Sequence, residues 1–103
     1  MVVSVQYRLG VFGFLYSPTV EPGAEFSGNW GLLDQQVGLQ WVSQFGASFG
    51  GDTSSIALTC CSAGCKAVLL HTTISSSWPL FNRVVSTGAG IAGDVSAANG
   101  EIM

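Results

Sequence analysis

Short β-branched runs alternate along the chain with stretches of helical period, and their order suggests the fold. Residues 2–7 are rich in β-branched side chains and apolar on both sides, which predicts a strand buried on both faces of a parallel sheet. A glycine-punctuated apolar loop follows over 10–16. Residues 17–28 collect two prolines, two glycines and two glutamates, the composition of an exposed loop. A helix is expected over 31–44, because Leu33, Val37, Trp41 and Phe45 recur every four residues with Val42 beside them. Asn29 is a candidate N-cap for it. Phe49-Gly50-Gly51-Asp52 reads as a turn. A second strand is expected over 55–61, a second helix from 63 to about 73 with Ala67, Leu70 and Ile74 along one side, and a third strand over 82–87. The tail is rich in glycine, alanine and serine, and no internal repeat stands out.

The order strand, helix, strand, helix, strand predicts the α/β class, with right-handed crossovers and a parallel sheet. Open sheets of this kind do their chemistry at the carboxyl ends of the strands. Ser62 stands at the carboxyl end of the middle predicted strand, immediately before a helix.

Composition narrows the picture. Charged residues make up 9% of the 103 and hydrophobic residues 48%, against about 25% charged in an ordinary soluble domain. So little charge suits the interior of a larger protein, and a complete α/β enzyme commonly needs ~200–250 residues. The chain is therefore expected to be one domain's fragment over 1–103. With net charge −3 and only Arg8, Lys66 and Arg83 as bases, it has no electrostatic footprint for nucleic acid or an anionic membrane. No apolar run reaches the ~20 residues of a membrane span. The first residues lack the basic region and cleavage pattern of a signal peptide. Three cysteines within six positions, Cys60, Cys61 and Cys65, do not read as a disulfide framework. A Cys60–Cys61 bridge would strain the backbone between neighbours.

Cys60-Cys61-Ser62-Ala63-Gly64 lies where hydrolases place their G-x-S-x-G elbow, a sharp turn that exposes a nucleophilic serine. Strand and helix pass close there, so the residues two before and two after the serine must be small. Gly64 meets that demand and Cys60 meets it in part. The same turn would aim the Ala63 amide at a substrate oxygen. The simpler alternative is that Ser62 only caps the helix.

The surrounding residues extend the motif. Val3-Ser4-Val5-Gln6-Tyr7-Arg8-Leu9-Gly10 resembles the V-x-x-N-Y-R-L-G strand of type B carboxylesterases and cholinesterases, and Gly13-Phe14-Leu15 follows as that family's G-F-L does. Gly28-Asn29-Trp30-Gly31-Leu32-Leu33-Asp34-Gln35 is similar to its G-N-x-G-L-x-D-Q. Leu39-Gln40-Trp41-Val42 is similar to its L-x-W-V, and Phe49-Gly50-Gly51-Asp52 to its F-G-G-D-P, with Thr53 in place of proline. Leu80-Phe81-Asn82-Arg83-Val84-Val85-Ser86-Thr87-Gly88 resembles its L-F-x-R-A-I-x-x-S-G. The matches are collinear up to about Gly90.

The resemblance implies a partial α/β-hydrolase fold, with Ser62 as nucleophile and the Ala63 backbone amide as an oxyanion donor. The family's elbow reads G-E-S-A-G-G, so Cys60, Cys61 and Cys65 are three departures at the turn itself. The implied substrate is a small-molecule carboxylic ester, with no cofactor and no metal. Members of the family are often secreted or held in the endoplasmic reticulum lumen. The family's histidine and acid come later in its chains than His71 and Asp94, and its glycine-rich oxyanion loop comes earlier than Met1. The resemblance thus leaves here one triad member and one oxyanion donor, a chain expected to be inactive alone. A non-catalytic cholinesterase-like interaction or adhesion domain, or a truncated product without function, are the alternatives.

Other features have plainer readings. Gly88-Ala89-Gly90-Ile91-Ala92-Gly93 matches G-x-G-x-x-G, but a dinucleotide site would need a helix and an acidic residue ~20 positions on. Cys60, Cys61, Cys65 and His71 could be drawn as zinc ligands, but adjacent Cys60 and Cys61 would point to opposite faces of a strand, so buried inert thiols are expected. Cys61 near a helix N-terminus could be a reactive thiol. Arg8 and Asp34 are expected to pair, because a charge buried among apolar strands needs a partner. Trp30, Trp41 and Trp78 read as core or helix-packing residues, and Asp52 as a turn residue.

Overall fold

The computed structural model describes residues 1–17, 19, 22, 23 and 28–88. It contains α1 (Gly10–Phe14), α2 (Trp30–Phe45), a 3-10 turn (Gly46–Phe49), β1 (Ala57–Cys61), α3 (Ala63–His71), a second 3-10 turn (Ser75–Leu80) and β2 (Arg83–Thr87). The chain divides into two compact units, Met1–Ser4 with Gln36–Ile91, and Val5–Gln35 with Ala92–Met103. The expected loop over 17–28 lies largely outside the described residues, and the glycine-rich tail lies wholly outside them.

The first unit is built on a parallel pair. β1 and β2 run side by side with Ala57 opposite Arg83 and Cys61 opposite Thr87. α3 and the second 3-10 turn make the crossover that parallel pairing requires. This is a strand-helix-strand piece of an α/β fold, as the order of elements predicts. Side-chain and main-chain bonds fasten its ends. Asn82 N donates to Ile56 O at 3.0 Å, Asn82 Nδ2 donates to Ser54 O, and Thr87 Oγ1 donates to Cys60 O at 2.9 Å. Asp52 is the turn residue expected: its Oδ1 accepts from Ser54 N at 2.9 Å and from Ser54 Oγ at 2.6 Å.

Residues 2–7 are not a strand. A strand obtains its main-chain hydrogen bonds only from a neighbour, and none of the described strands pairs with them; Val2 is 98% exposed. The segment read as a loop over 10–16 instead begins with the single turn α1.

The helices form near their expected bounds but bury different faces. On α2 the expected stripe of Val37, Trp41 and Phe45 is exposed, and the inner positions are Gly31, Gln35 and Leu39. Gly31 explains the choice. A Cβ there would run into the Phe14 ring and lie 2.7 Å from Arg8 O, so this face approaches other chain more closely than any larger residue permits. The outer stripe closes on itself, with the Trp41 ring 5.9 Å from Phe45 and 5.4 Å from Phe49. Asn29 precedes α2 and its carbonyl accepts the first bond, from Leu33 N at 3.0 Å. On α3 the buried face is Cys65, Val68 and His71 rather than Ala67, Leu70 and Ile74. The helix ends two residues early because Thr72 and Thr73 turn their hydroxyls back to Leu69 O and Leu70 O.

Trp78 is exposed, its Nε1 donating to Thr72 O at 2.9 Å. Trp41 is likewise at the surface, so of the three tryptophans only Trp30 is packed as expected, half-buried under the Arg8 guanidinium at 5.7 Å.

In the second unit Arg8 and Asp34 pair as expected. Nε and Nη2 of Arg8 grip the two carboxylate oxygens at 2.8 Å each, and Arg8 N donates to Oδ2 at 2.9 Å. The pair is not deeply buried, because Arg8 keeps half of its surface in solvent. The side-chain and backbone bonds from Arg8 hold the Asp34 carboxyl down at about 2, from 3.8. A depressed carboxylate contributes stability that is complete above its unfolded value and lost as pH falls toward its folded one. Between pH 4 and 2 the urea midpoint should therefore drop, and Arg8→Met should lower the midpoint at pH 7 and flatten that drop. An unchanged midpoint at pH 7 would remove the pair from the fold's supports.

Candidate functional site

β1 ends at Cys61 and α3 begins at Ala63, so one residue converts extended backbone to helix. Ser62 makes that change at φ 53°, ψ −124°. It is the only non-glycine residue of positive φ among those described. Such conformations cost about 1–3 kcal/mol and persist only where the surroundings enforce them. The sharp, strained strand-to-helix turn expected from the motif is therefore present. Ser62 is exposed, and its side chain makes no capping bond to α3, which removes the simple N-cap reading. The hydroxyl is left at the surface at the carboxyl end of a parallel strand.

Around it, the Ser62 carbonyl accepts from Cys65 N at 2.9 Å. Ala63 opens the helix, and its amide is one of the four at a helix N-terminus that have no intrahelical acceptor. The positive end of the helix dipole lies there too. Gly64 is less constrained than its place in the motif suggests. A Cβ on it would lie 3.8 Å from Cys60 Cβ, an ordinary contact, so strand and helix are spaced to admit an alanine.

The cysteines do not behave as three inert thiols. Cys60 and Cys65 form a disulfide with Cα atoms 4.8 Å apart, and Cys61 is free and exposed. The expectation of no disulfide framework, which rests on an odd number of clustered cysteines and on the strain of a Cys60–Cys61 bridge, is overturned by the Cys60–Cys65 pair. The signal was available in the C-x4-C spacing. A residue near the end of a strand and one in the first turn of the following helix meet across a tight turn, within the Cα range a disulfide spans. The bond also takes two of the four residues drawn as zinc ligands. Among the described residues no group of three or more His, Cys, Asp or Glu side chains gathers as a metal site.

His71 is not brought to Ser62. Nine residues of helix separate them, ~13 Å along the axis. His71 is buried, and its Nδ1 is 2.9 Å from Ser77 Oγ. Ser77, fully buried, also accepts from Gln36 Nε2 at 3.0 Å, and Gln36 reaches Ser76 Oγ at 2.7 Å. This network ties α2, α3 and the second 3-10 turn together, and the sequence carries no periodic signal for it. Asp94 and the glycines of G-x-G-x-x-G beyond Gly88 lie outside the described residues.

Burial lowers the His71 pKa from 6.5. A histidine depressed on folding contributes stability that is complete above its unfolded value and is lost as pH falls below it. The urea midpoint should fall below pH 6.5. Ser77→Ala, which removes the hydroxyl shared by His71 and Gln36, should cost about 1–3 kcal/mol at pH 7. A change within error would reduce the network to incidental contacts.

The model of the carboxylesterase family matches residues 1–100. A cholinesterase of Mus musculus is 47% identical over 85 residues, which cover 82% of this chain and 14% of that protein. A crystal structure of a Geobacillus stearothermophilus carboxylesterase superposes with a TM-score of 0.73 at 37% identity, covering 78% of this chain and 18% of that one. The chain thus spans less than a fifth of the length of either relative.

Proposed function

Because this chain belongs to the carboxylesterase family, we propose that it carries the nucleophile-bearing part of a carboxylic-ester hydrolase that works by acyl transfer through Ser62. The observation that carries the reading is the backbone of Ser62. A one-residue strand-to-helix turn at φ 53°, ψ −124° presents a hydroxyl that is not spent on capping, which is how an α/β-hydrolase exposes its serine.

On this reading Ser62 Oγ attacks the carbonyl carbon of an ester, and the Ala63 amide meets the oxyanion that develops. The alcohol leaves, and water then releases the acid from the acyl-serine. Each step needs a base to take a proton and an acid to orient that base. His71 does not fill the role, being buried against Ser77 and far along α3. The chain alone is therefore inactive towards esters, and base, acid and further oxyanion donors belong to other parts of the family's fold. No cofactor enters this chemistry. Among the described residues, no helix is long and apolar enough to cross a membrane.

The second reading is a non-catalytic interaction domain of the cholinesterase-like type. It draws support from Cys60 and Cys61, which stand where the family's elbow has glycine and glutamate.

A fluorophosphonate probe separates the two when a base is supplied. The chain alone should label no faster than Ser62→Ala. Molar imidazole should produce slow labelling that Ser62→Ala abolishes. Equal labelling of the two chains in imidazole would sink the nucleophile reading and leave the interaction domain.

A further inference from the structure

Cys60 and Cys65 stand on either side of Ser62 and are bonded to each other across it. Cys60 is the penultimate residue of β1, opposite Ser86 of β2. Cys65 is in the first turn of α3, with no exposed surface and its Sγ 3.4 Å from Thr87 O. The bridge closes a six-residue ring around the one non-glycine residue held at positive φ among those described. Packing alone leaves slack at this point, because even a Cβ added at position 64 would be in ordinary contact with Cys60. A strained turn needs something to enforce it, and here the covalent bond supplies what close packing does not. The two bonded positions are also the two at which this chain has cysteine where the resembling elbow pattern has glycine.

We propose that the Cys60–Cys65 disulfide is a redox-responsive clamp on the Ser62 turn, opened by small dithiols. The inference is independent of any ester chemistry at Ser62. Cys60 is half-buried and Cys65 is sealed, so an incoming thiolate meets Cys60 Sγ. It bonds to that sulfur and expels the Cys65 thiolate beside the amides of the α3 N-terminus, which favour negative charge. The reagent's second thiol then attacks its own sulfur in the mixed disulfide and releases Cys60. The dithiol loses two electrons and becomes a cyclic disulfide, and Cys60 and Cys65 gain those two electrons and two protons. Cys61 lies on the opposite face of β1 from Cys60, free and exposed, and serves as an internal reporter thiol.

The test uses the full chain purified without reductant. Alkylation with peptide mapping should modify Cys61 alone before dithiothreitol and all three cysteines after it. Hydrogen exchange of the amides over 62–66 should accelerate roughly 10- to 50-fold on reduction, the loss expected for opening so small a ring, while α2 amides around Leu39 hold their rate. Cys60→Ala and Cys65→Ala should each show the fast exchange without dithiothreitol and no response to it. Three reactive thiols before reduction, a bridge that includes Cys61, unchanged exchange over 62–66, or acceleration spread equally through α2 would each overturn the clamp.

Discussion

The first unit depends on a single connection, the one residue between β1 and α3. Parallel pairing of β1 with β2 in the observed register forces the chain to leave the end of β1, double back as a helix and re-enter alongside. With no loop between Cys61 and Ala63, the whole change of direction falls on Ser62, and only a left-handed φ accomplishes it. What surrounds the turn follows from that constraint. Thr87 Oγ1 fastens β2 to Cys60 O, Cys65 N closes the first helical turn onto Ser62 O, and the Cys60–Cys65 bond spans the gap. The same constraint gives the site its chemical character. A side chain on a turn this tight is lifted clear of both elements and set beside the unpaired amides of a helix N-terminus.

Polar groups do much of the anchoring in a chain of which only 9% is charged. The described apolar core is small, comprising Leu39, Cys65 and Val68. Beside it lies the His71–Ser77–Gln36 network, where each hydrogen bond inside low-dielectric surroundings is stronger and each missing partner more costly than at the surface. The chain's only histidine is thereby committed to structure. In the second unit the two-pronged grip of Arg8 on Asp34, reinforced by the Arg8 amide, has the planar geometry that makes arginine and carboxylate a directional pair.

Membership of the carboxylesterase family rests on residues spread along the chain, and this chain covers less than a fifth of the relatives it matches. The apolar ridge of Val37, Trp41, Phe45 and Phe49 is consistent with that share, since much of α2's apolar surface is exposed among the described residues. Two of the three cysteines around Ser62, Cys60 and Cys65, join the strand end to the first turn of the helix by a covalent bond.

The sequence by itself determined the helix-strand-helix-strand order from α2 to β2, the parallel crossover, the placement of Ser62 at the carboxyl end of β1, the Arg8–Asp34 pair and the Asp52 turn. Each of these depends on local propensity, on a pattern of a few residues or on a complementary pair of charges. It did not determine which helix faces are buried. Val37, Trp41 and Phe45 are the more apolar stripe of α2, yet the packed face carries Gly31 and Leu39, because closeness of approach and not hydropathy selects it. It did not determine the absence of a strand over 2–7, since pairing is a property of the neighbour. Nor did it reveal the Ser77 partner of His71, because those two residues meet only when the helix and the 3-10 turn after it have folded onto one another.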